Sequence, residues 1–143
     1  MIFYLLLSTM LSIGKTSAQH LDDYRWKNRV VLLFAGPGSE SLFRKQVNEL
    51  NVDPEGLLER DLIIFTVSPH RIINLIERKT ANLSAEQLWD KYSRQGEGFQ
   101  YILIGKDGGI KLDKNEFIPN DYLFAVIDAM PMRKREMQEN KYN

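Results

Sequence analysis

The hydrophobic residues of this chain are concentrated in three short runs that are apolar at nearly every position. Arg29 to Ala35 reads RVVLLFA, Leu62 to Val67 reads LIIFTV, and Phe99 to Gly105 reads FQYILIG. Short apolar runs that do not alternate with polar residues are typical of strands buried on both faces of a sheet. The pattern therefore predicts three buried strands at the centre of the fold.

Three further segments show the spacing of amphipathic helices. The first follows Ser39, which is expected to cap it. The second covers Ser84–Gln95 and starts with the sequence of a capping box. The third begins at Pro119-Asn120 and is expected to end at Pro131. Each predicted strand is thus followed or preceded by a helix.

The connecting segments complete the predicted order of elements. Asp53-Pro54 is a possible helix start, and residues 70–83 are either helical or cover a sheet edge. Asp107-Gly108, between two apolar runs, predicts a β-hairpin. The order is strand–helix–strand–helix–strand–strand–helix, with a parallel first half and an antiparallel hairpin. It predicts an α/β thioredoxin-like fold with a central mixed sheet.

The N-terminus has the features of a secretory signal peptide. Residues 1–13 are uncharged and mostly apolar, and small residues follow up to Ala18, where we expect cleavage. The run is shorter than the about 20 residues that span a bilayer, so no transmembrane anchor is expected after cleavage. No Lys or Arg precedes the run, and a buried strand or a retained anchor is the alternative. The predicted organisation is a signal peptide (1–18), one domain (19–137) and a polar tail (138–143).

Composition limits the chemistry further. The length of 143 residues corresponds to one domain. The 19 basic residues balance the 19 acidic ones, so the formal net charge is zero and no general electrostatic attraction to nucleic acid is expected. Cysteine is absent, which excludes disulfides, thiolate nucleophiles and thiolate-bound metals. The two histidines, His20 and His70, lie far apart and show no metal-binding spacing. We expect no cofactor and no metal.

Three segments together resemble a domain family of unknown function. They are Gly98 to Lys111, Ile127 to Arg133 with Glu136-Met137 after it, and Tyr24 to Arg29. The resemblance covers about residues 20–137. It implies a thioredoxin-like fold and a binding role outside the cell. It also implies that the domain occurs in small exported bacterial proteins, in vertebrate extracellular proteins with sushi repeats and in a related extracellular-matrix protein. It implies no catalytic residues.

The loop after the first strand is where thioredoxin-like proteins carry their reactive cysteines. Here it reads Ala35-Gly36-Pro37-Gly38-Ser39, so thiol–disulfide exchange and thiol-peroxidase chemistry are excluded. One interpretation is an anion site, formed by Gly36, Gly38 and Ser39, because a helix N-terminus leaves backbone N–H groups free. The sequence favours the other interpretation, a plain tight turn with Ser39 as the helix cap.

A small basic patch lies near the C-terminus, at Arg133, Lys134 and Arg135. Such a run is usually a solvated helix end, and the alternative is a contact for a polyanion or an acidic partner. Asp128 lies just upstream on a largely apolar helix. It either pairs with Arg133 or Arg25, or faces solvent.

These observations favour a non-catalytic function. We expect an exported binding or accessory module of the cell envelope or extracellular space, whose partner is a protein or a polyanion and not a nucleic acid. The alternative is an enzyme that uses non-thiol groups near the Gly36–Ser39 loop. The sequence supplies no nucleophile with an adjacent base, so this alternative is the weaker one.

Overall fold

The structure, a computed structural model, describes residues 18–94 and 98–142. Its centre is a six-stranded mixed sheet of order β4-β3-β2-β1-β5-β6. Strands β1 and β2 are parallel, and the other neighbouring pairs are antiparallel. The strands are β1 (Arg29–Ala35), β2 (Leu62–Val67), β3 (Ile72–Asn74), β4 (Lys79–Thr80), β5 (Phe99–Ile104) and β6 (Ile110–Lys114).

In the described parts of the chain, five helices and one short 3-10 turn surround the sheet. Two helix starts have the expected side-chain caps: the Gly56 N–H donates to the Asp53 carboxylate at 2.8 Å, and the Gln87 N–H donates to the Ser84 hydroxyl at 3.3 Å. The elements are the 3-10 turn (Leu21–Tyr24), α1 (Glu40–Leu50), α2 (Pro54–Glu59), α3 (Ala85–Tyr92), α4 (Asn120–Asp128) and α5 (Pro131–Glu139).

The sheet is covered on both faces, as its uninterrupted apolar strands require. Val31 and Leu33 of β1 point to a core shared with apolar residues of α1, α2 and α4. Val30, Leu32 and Phe34 point to a second core, shared with α3 and the 3-10 turn. Because successive side chains of a strand face opposite ways, one strand serves both cores.

The structure confirms the predicted mixed sheet and resolves residues 70–83. This segment contributes β3 and β4, which extend the sheet edge next to β2. The predicted hairpin is the β5–β6 connection, where the Gly105 N–H donates to the Gly109 carbonyl at 2.9 Å.

The helix expected to end at Pro131 is α4, which stops at Asp128, before this proline. Pro131 then starts a further helix, α5, that was not predicted, because proline has no N–H and the first residue of a helix does not need one. Part of the predicted polar tail is therefore helix. The predicted signal region up to residue 17 lies outside the described residues. Within 18–94 and 98–142, no helix combines the length and apolar character needed to cross a membrane.

Candidate binding site

The Gly36–Ser39 loop forms a closed turn at the end of β1. The Gly36 N–H donates to the carbonyl of Gly98, and the Ser39 N–H donates to the Gly36 carbonyl at 3.3 Å. The Ser39 hydroxyl also donates to the Gly36 carbonyl, at 2.6 Å, and Ser39 is 5% exposed. Gly38 has φ +79°, a conformation that favours glycine. The loop is thus a tight turn, as the sequence favours.

This geometry changes both interpretations of the loop. The Gly36 N–H is bonded to the Gly98 carbonyl and the Ser39 N–H to the Gly36 carbonyl, which leaves the anion interpretation without two of its donors. Ser39 does precede α1, but its hydroxyl donates backward to Gly36 and accepts no bond from the helix. The expected side-chain cap is therefore wrong, and the hydroxyl is held by its own backbone.

The basic patch is also different from the prediction. Arg133 is 1% exposed, so it belongs neither to a solvated helix end nor to an exposed patch. Its guanidinium donates to the Asp128 carboxylate at 3.0 Å and to the Glu59 carboxylate at 2.8 Å. Only Lys134 and Arg135 of the predicted patch are exposed. Arg133 is buried because it ties the first turn of α5 to α2.

Asp128 forms an ion pair, which confirms one of the two alternatives left open by the sequence. Its partners are Arg133 and Arg60, with the shortest Arg60 contact at 2.8 Å. Burial raises the pKa of the Asp128 carboxyl, but hydrogen bonds from Arg60 and Arg133 outweigh this effect and lower the pKa. The carboxylate is therefore ionised at neutral pH.

A second set of charges lies beside the first, at the start of β1. Glu136 accepts two hydrogen bonds from the Arg29 guanidinium, at 3.1 and 3.2 Å, and one from the Lys106 ammonium at 2.7 Å. Lys106 also donates to Asp61 at 2.7 Å. Arg29 is 1% exposed and Lys106 is 9% exposed. These ion pairs hold α5 against β1 and the hairpin.

A cavity of about 580 Å³ adjoins these charges, between the β5–β6 hairpin and the junction of α4 with α5. We call it the hairpin cleft. It lies at the start of β1, whereas the Gly36–Ser39 loop follows the other end, roughly 20 Å away at about 3.3 Å per strand residue. Its apolar wall comprises Val126, Ala129, Met130, Pro131 and Met132, and its polar rim comprises Arg29, Gly105, Lys106, Asp107 and Lys111.

Each basic residue on the rim of the hairpin cleft is paired with a carboxylate. Arg29 and Lys106 are paired with Glu136, and the Lys111 ammonium donates to Asp107 at 2.9 Å. Within residues 18–94 and 98–142 there is no group of three or more His, Asp or Glu side chains that could hold a metal ion. The cleft therefore offers apolar surface for binding, and its ionic groups serve the fold.

Sequence reasoning did not predict the hairpin cleft, although a signal was present. The two most distinctive segments of the chain, Gly98 to Lys111 and Ile127 to Arg133, form its opposite walls. Residues 112–126 separate them in sequence, and the packing of the hairpin against the α4–α5 junction brings them to the same cavity.

Comparisons with known proteins agree with this architecture. A reduced 2-Cys peroxiredoxin of Plasmodium vivax matches with a TM-score of 0.54 at 15% identity, over 80% of this chain and 84% of its own. Thioredoxin peroxidase I of Plasmodium yoelii matches with the same score and identity, over 80% of this chain and 79% of its own. No curated protein matches the chain.

The fold is thus thioredoxin-like, in a chain without cysteine. The family follows from a second comparison. The model described as Domain of unknown function (DUF4174) matches residues 20–136, and the chain belongs to this family.

Proposed function

We propose that this protein is an exported, non-catalytic binding module that recognises a protein partner of the cell envelope or extracellular space. The observation that carries the proposal is the hairpin cleft, built from the two most distinctive segments of the chain. Its volume of about 580 Å³ lies within the about 300–1,000 Å³ usual for binding sites. The resemblance to exported bacterial and vertebrate extracellular proteins adds support.

The chemistry of the cleft favours an apolar group on the partner. Because the rim cations are paired internally, an anionic ligand would have to compete with existing ion pairs. Met130 and Met132 supply flexible, polarisable side chains that adapt to different apolar shapes. The partner in this proposal inserts an apolar side chain into the cleft. Lys134 and Arg135, which are exposed, remain a proposed second contact for an acidic surface.

The arrangement at the Gly36–Ser39 loop supports binding over catalysis. The Ser39 hydroxyl is buried and donates its proton to the Gly36 carbonyl, and no side chain of the described residues bonds it as a base would. In this proposal the thioredoxin-like fold is kept, and the partner binds at the hairpin cleft, at the opposite end of β1 from the Gly36–Ser39 loop.

Filling the cleft is expected to abolish partner recognition. Ala129→Trp places an indole against the apolar wall without removing an ion pair. Ala125→Trp is the matched control, because Ala125 is exposed on α4, four residues before Ala129, and does not line the cleft. In affinity capture from the native envelope, we expect the first variant to lose the partner at least ten-fold and the second to retain it. Equal capture by both variants would contradict the proposal.

Export is tested by the N-terminus of the protein isolated from its own cells. We expect sequencing to begin at Gln19, because cleavage after Ala18 fits the small-residue pattern. The control is the same chain synthesised in a cell-free system without membranes, which should begin at Met1. Recovery of Met1 from cells would argue against a cleaved leader.

A further inference from the structure

We infer that a second cavity, on the opposite face of the sheet from the hairpin cleft, binds an acidic sugar. This inference goes beyond the proposed partner and does not depend on it. The cavity measures about 280 Å³ and lies between the 3-10 turn, the end of α3 and the hairpin turn. Its lining includes Asp22, Tyr24, Arg25, Lys91, Tyr92 and Gly108. We call it the Arg25 pocket.

The cations of the Arg25 pocket differ from those of the hairpin cleft. Within residues 18–94 and 98–142, neither Arg25 nor Lys91 forms a salt bridge, whereas Arg29, Lys106 and Lys111 all do. Unpaired cations that share one cavity attract an anionic group, because no protein carboxylate has to be displaced first. The ligand therefore carries a negative charge.

The other polar groups of the Arg25 pocket require a ligand that donates hydrogen bonds as well as carrying a negative charge. Asp22 lines the same cavity, and in the described parts of the chain its carboxylate accepts no hydrogen bond. An ionised carboxylate only accepts, so it needs a ligand that also donates, which a fully deprotonated anion such as sulfate cannot do. Tyr92 lines the same cavity, and a phenol group both donates and accepts. A ligand with hydroxyl groups and one carboxylate satisfies this set.

Trp26 does not line the pocket, but its ring lies beside Arg25, which does, and it supplies an apolar surface there. The indole is 62% exposed and contributes little to either core. Its backbone has φ +67°, a region that bulky L residues rarely adopt, and its N–H donates to the Lys106 carbonyl at 2.7 Å. Asn or Gly would suit this turn better. An exposed aromatic ring kept in an unfavourable conformation indicates a role outside folding.

The hairpin turn is shaped to hold Arg25 beside this ring. The Arg25 guanidinium lies 5.5 Å from the centre of the Trp26 ring. Gly108, at φ +82°, faces the same side chain, and a Cβ there would lie 3.3 Å from Arg25 Nε. An aromatic face next to a cation suits a sugar ring, whose C–H face packs on the indole while its carboxylate meets Arg25.

The size of the pocket limits what enters it. About 280 Å³ corresponds to roughly nine waters at about 30 Å³ each. This space suits one sugar ring, with neighbouring units of an oligosaccharide lying outside along Trp26. The inferred ligand class is an oligosaccharide of uronic acid units.

The test uses tetragalacturonic acid as the probe and cellotetraose as the neutral control. Binding to the purified protein is followed by calorimetry and by the blue shift of Trp26 fluorescence. We expect saturable binding of the acidic probe only, at least ten-fold weaker in Arg25→Gln and in Lys91→Gln. Lys114→Gln, which removes an exposed charge outside the pocket, should bind normally.

Trp26→Asn separates a binding role from a structural one. Asparagine tolerates positive φ, so the melting temperature should stay unchanged or rise while probe affinity falls at least ten-fold. A lower melting temperature with unchanged affinity would assign the indole to the fold and overturn the inference. No binding, equal binding of the neutral probe, or equal weakening by Lys114→Gln would overturn it as well. Ala129→Trp should leave binding of the acidic probe intact. A failure of the partner proposal at the hairpin cleft can therefore be distinguished from a failure of the sugar-binding inference.

Discussion

Replacing Glu136 by alanine is expected to lower the free energy of unfolding by about 3–5 kcal/mol. The carboxylate accepts hydrogen bonds from Arg29 at 3.1 and 3.2 Å and from Lys106 at 2.7 Å. Without it, the Arg29 guanidinium, which is 1% exposed, keeps only one acceptor among the described residues, the Arg60 carbonyl at 3.0 Å. A buried cation that loses its carboxylate is strongly unfavourable, and urea unfolding followed by circular dichroism measures the loss.

Glu139→Ala is the matched control, because Glu139 is exposed on the same helix. Its effect should stay within about 0.5 kcal/mol. An equal loss in both variants would mean that helix propensity, not the ion pairs, determines the result.

The pH dependence of the Glu136→Ala effect gives a second check. Burial raises the pKa of Glu136, but hydrogen bonds from Arg29 and Lys106 outweigh it, so the pKa lies below the ordinary 4.5. A carboxyl with a lowered folded-state pKa contributes stability that is present above its unfolded pKa and is lost as pH falls through the folded value. The difference between wild type and variant should therefore shrink below about pH 4. A constant difference across this range would contradict the assignment.

The parts of the fold that depend on local pattern could be predicted from sequence. β1, β2 and β5 are continuous apolar runs, and the Asp107-Gly108 turn is specific for a hairpin. These signals lie within a few neighbouring residues, so no knowledge of distant contacts is needed.

The position of α5 could not be predicted in this way, because distant partners hold it. Arg133 bonds Glu59, which is 74 residues away, and Glu136 bonds Arg29, which is 107 residues away. In sequence, α5 therefore looks like a solvated polar segment. The hairpin cleft could not be predicted for a different reason: its two walls are close in sequence, but they form a cavity only when the hairpin packs against the α4–α5 junction.

Replacing Arg133 by alanine is the second large effect that we expect, a loss of about 2–4 kcal/mol in the free energy of unfolding. The side chain is 1% exposed and donates to Asp128 and Glu59. The loss should be smaller than for Glu136, because Asp128 retains Arg60 as a partner and the Glu59 side chain is 62% exposed and can be hydrated.

Arg135→Ala is the control that distinguishes the effect of removing a buried, paired arginine from the effect of removing any basic residue of α5. Arg135 lies two positions further on α5 and is exposed, so its removal should change stability by no more than about 0.5 kcal/mol. Arg133→Lys should be intermediate, because a lysine keeps the charge but cannot reproduce the planar fork that meets two carboxylates. Comparable losses for Arg133→Ala and Arg135→Ala in urea unfolding would show that Arg133 is not the buried tie that positions α5.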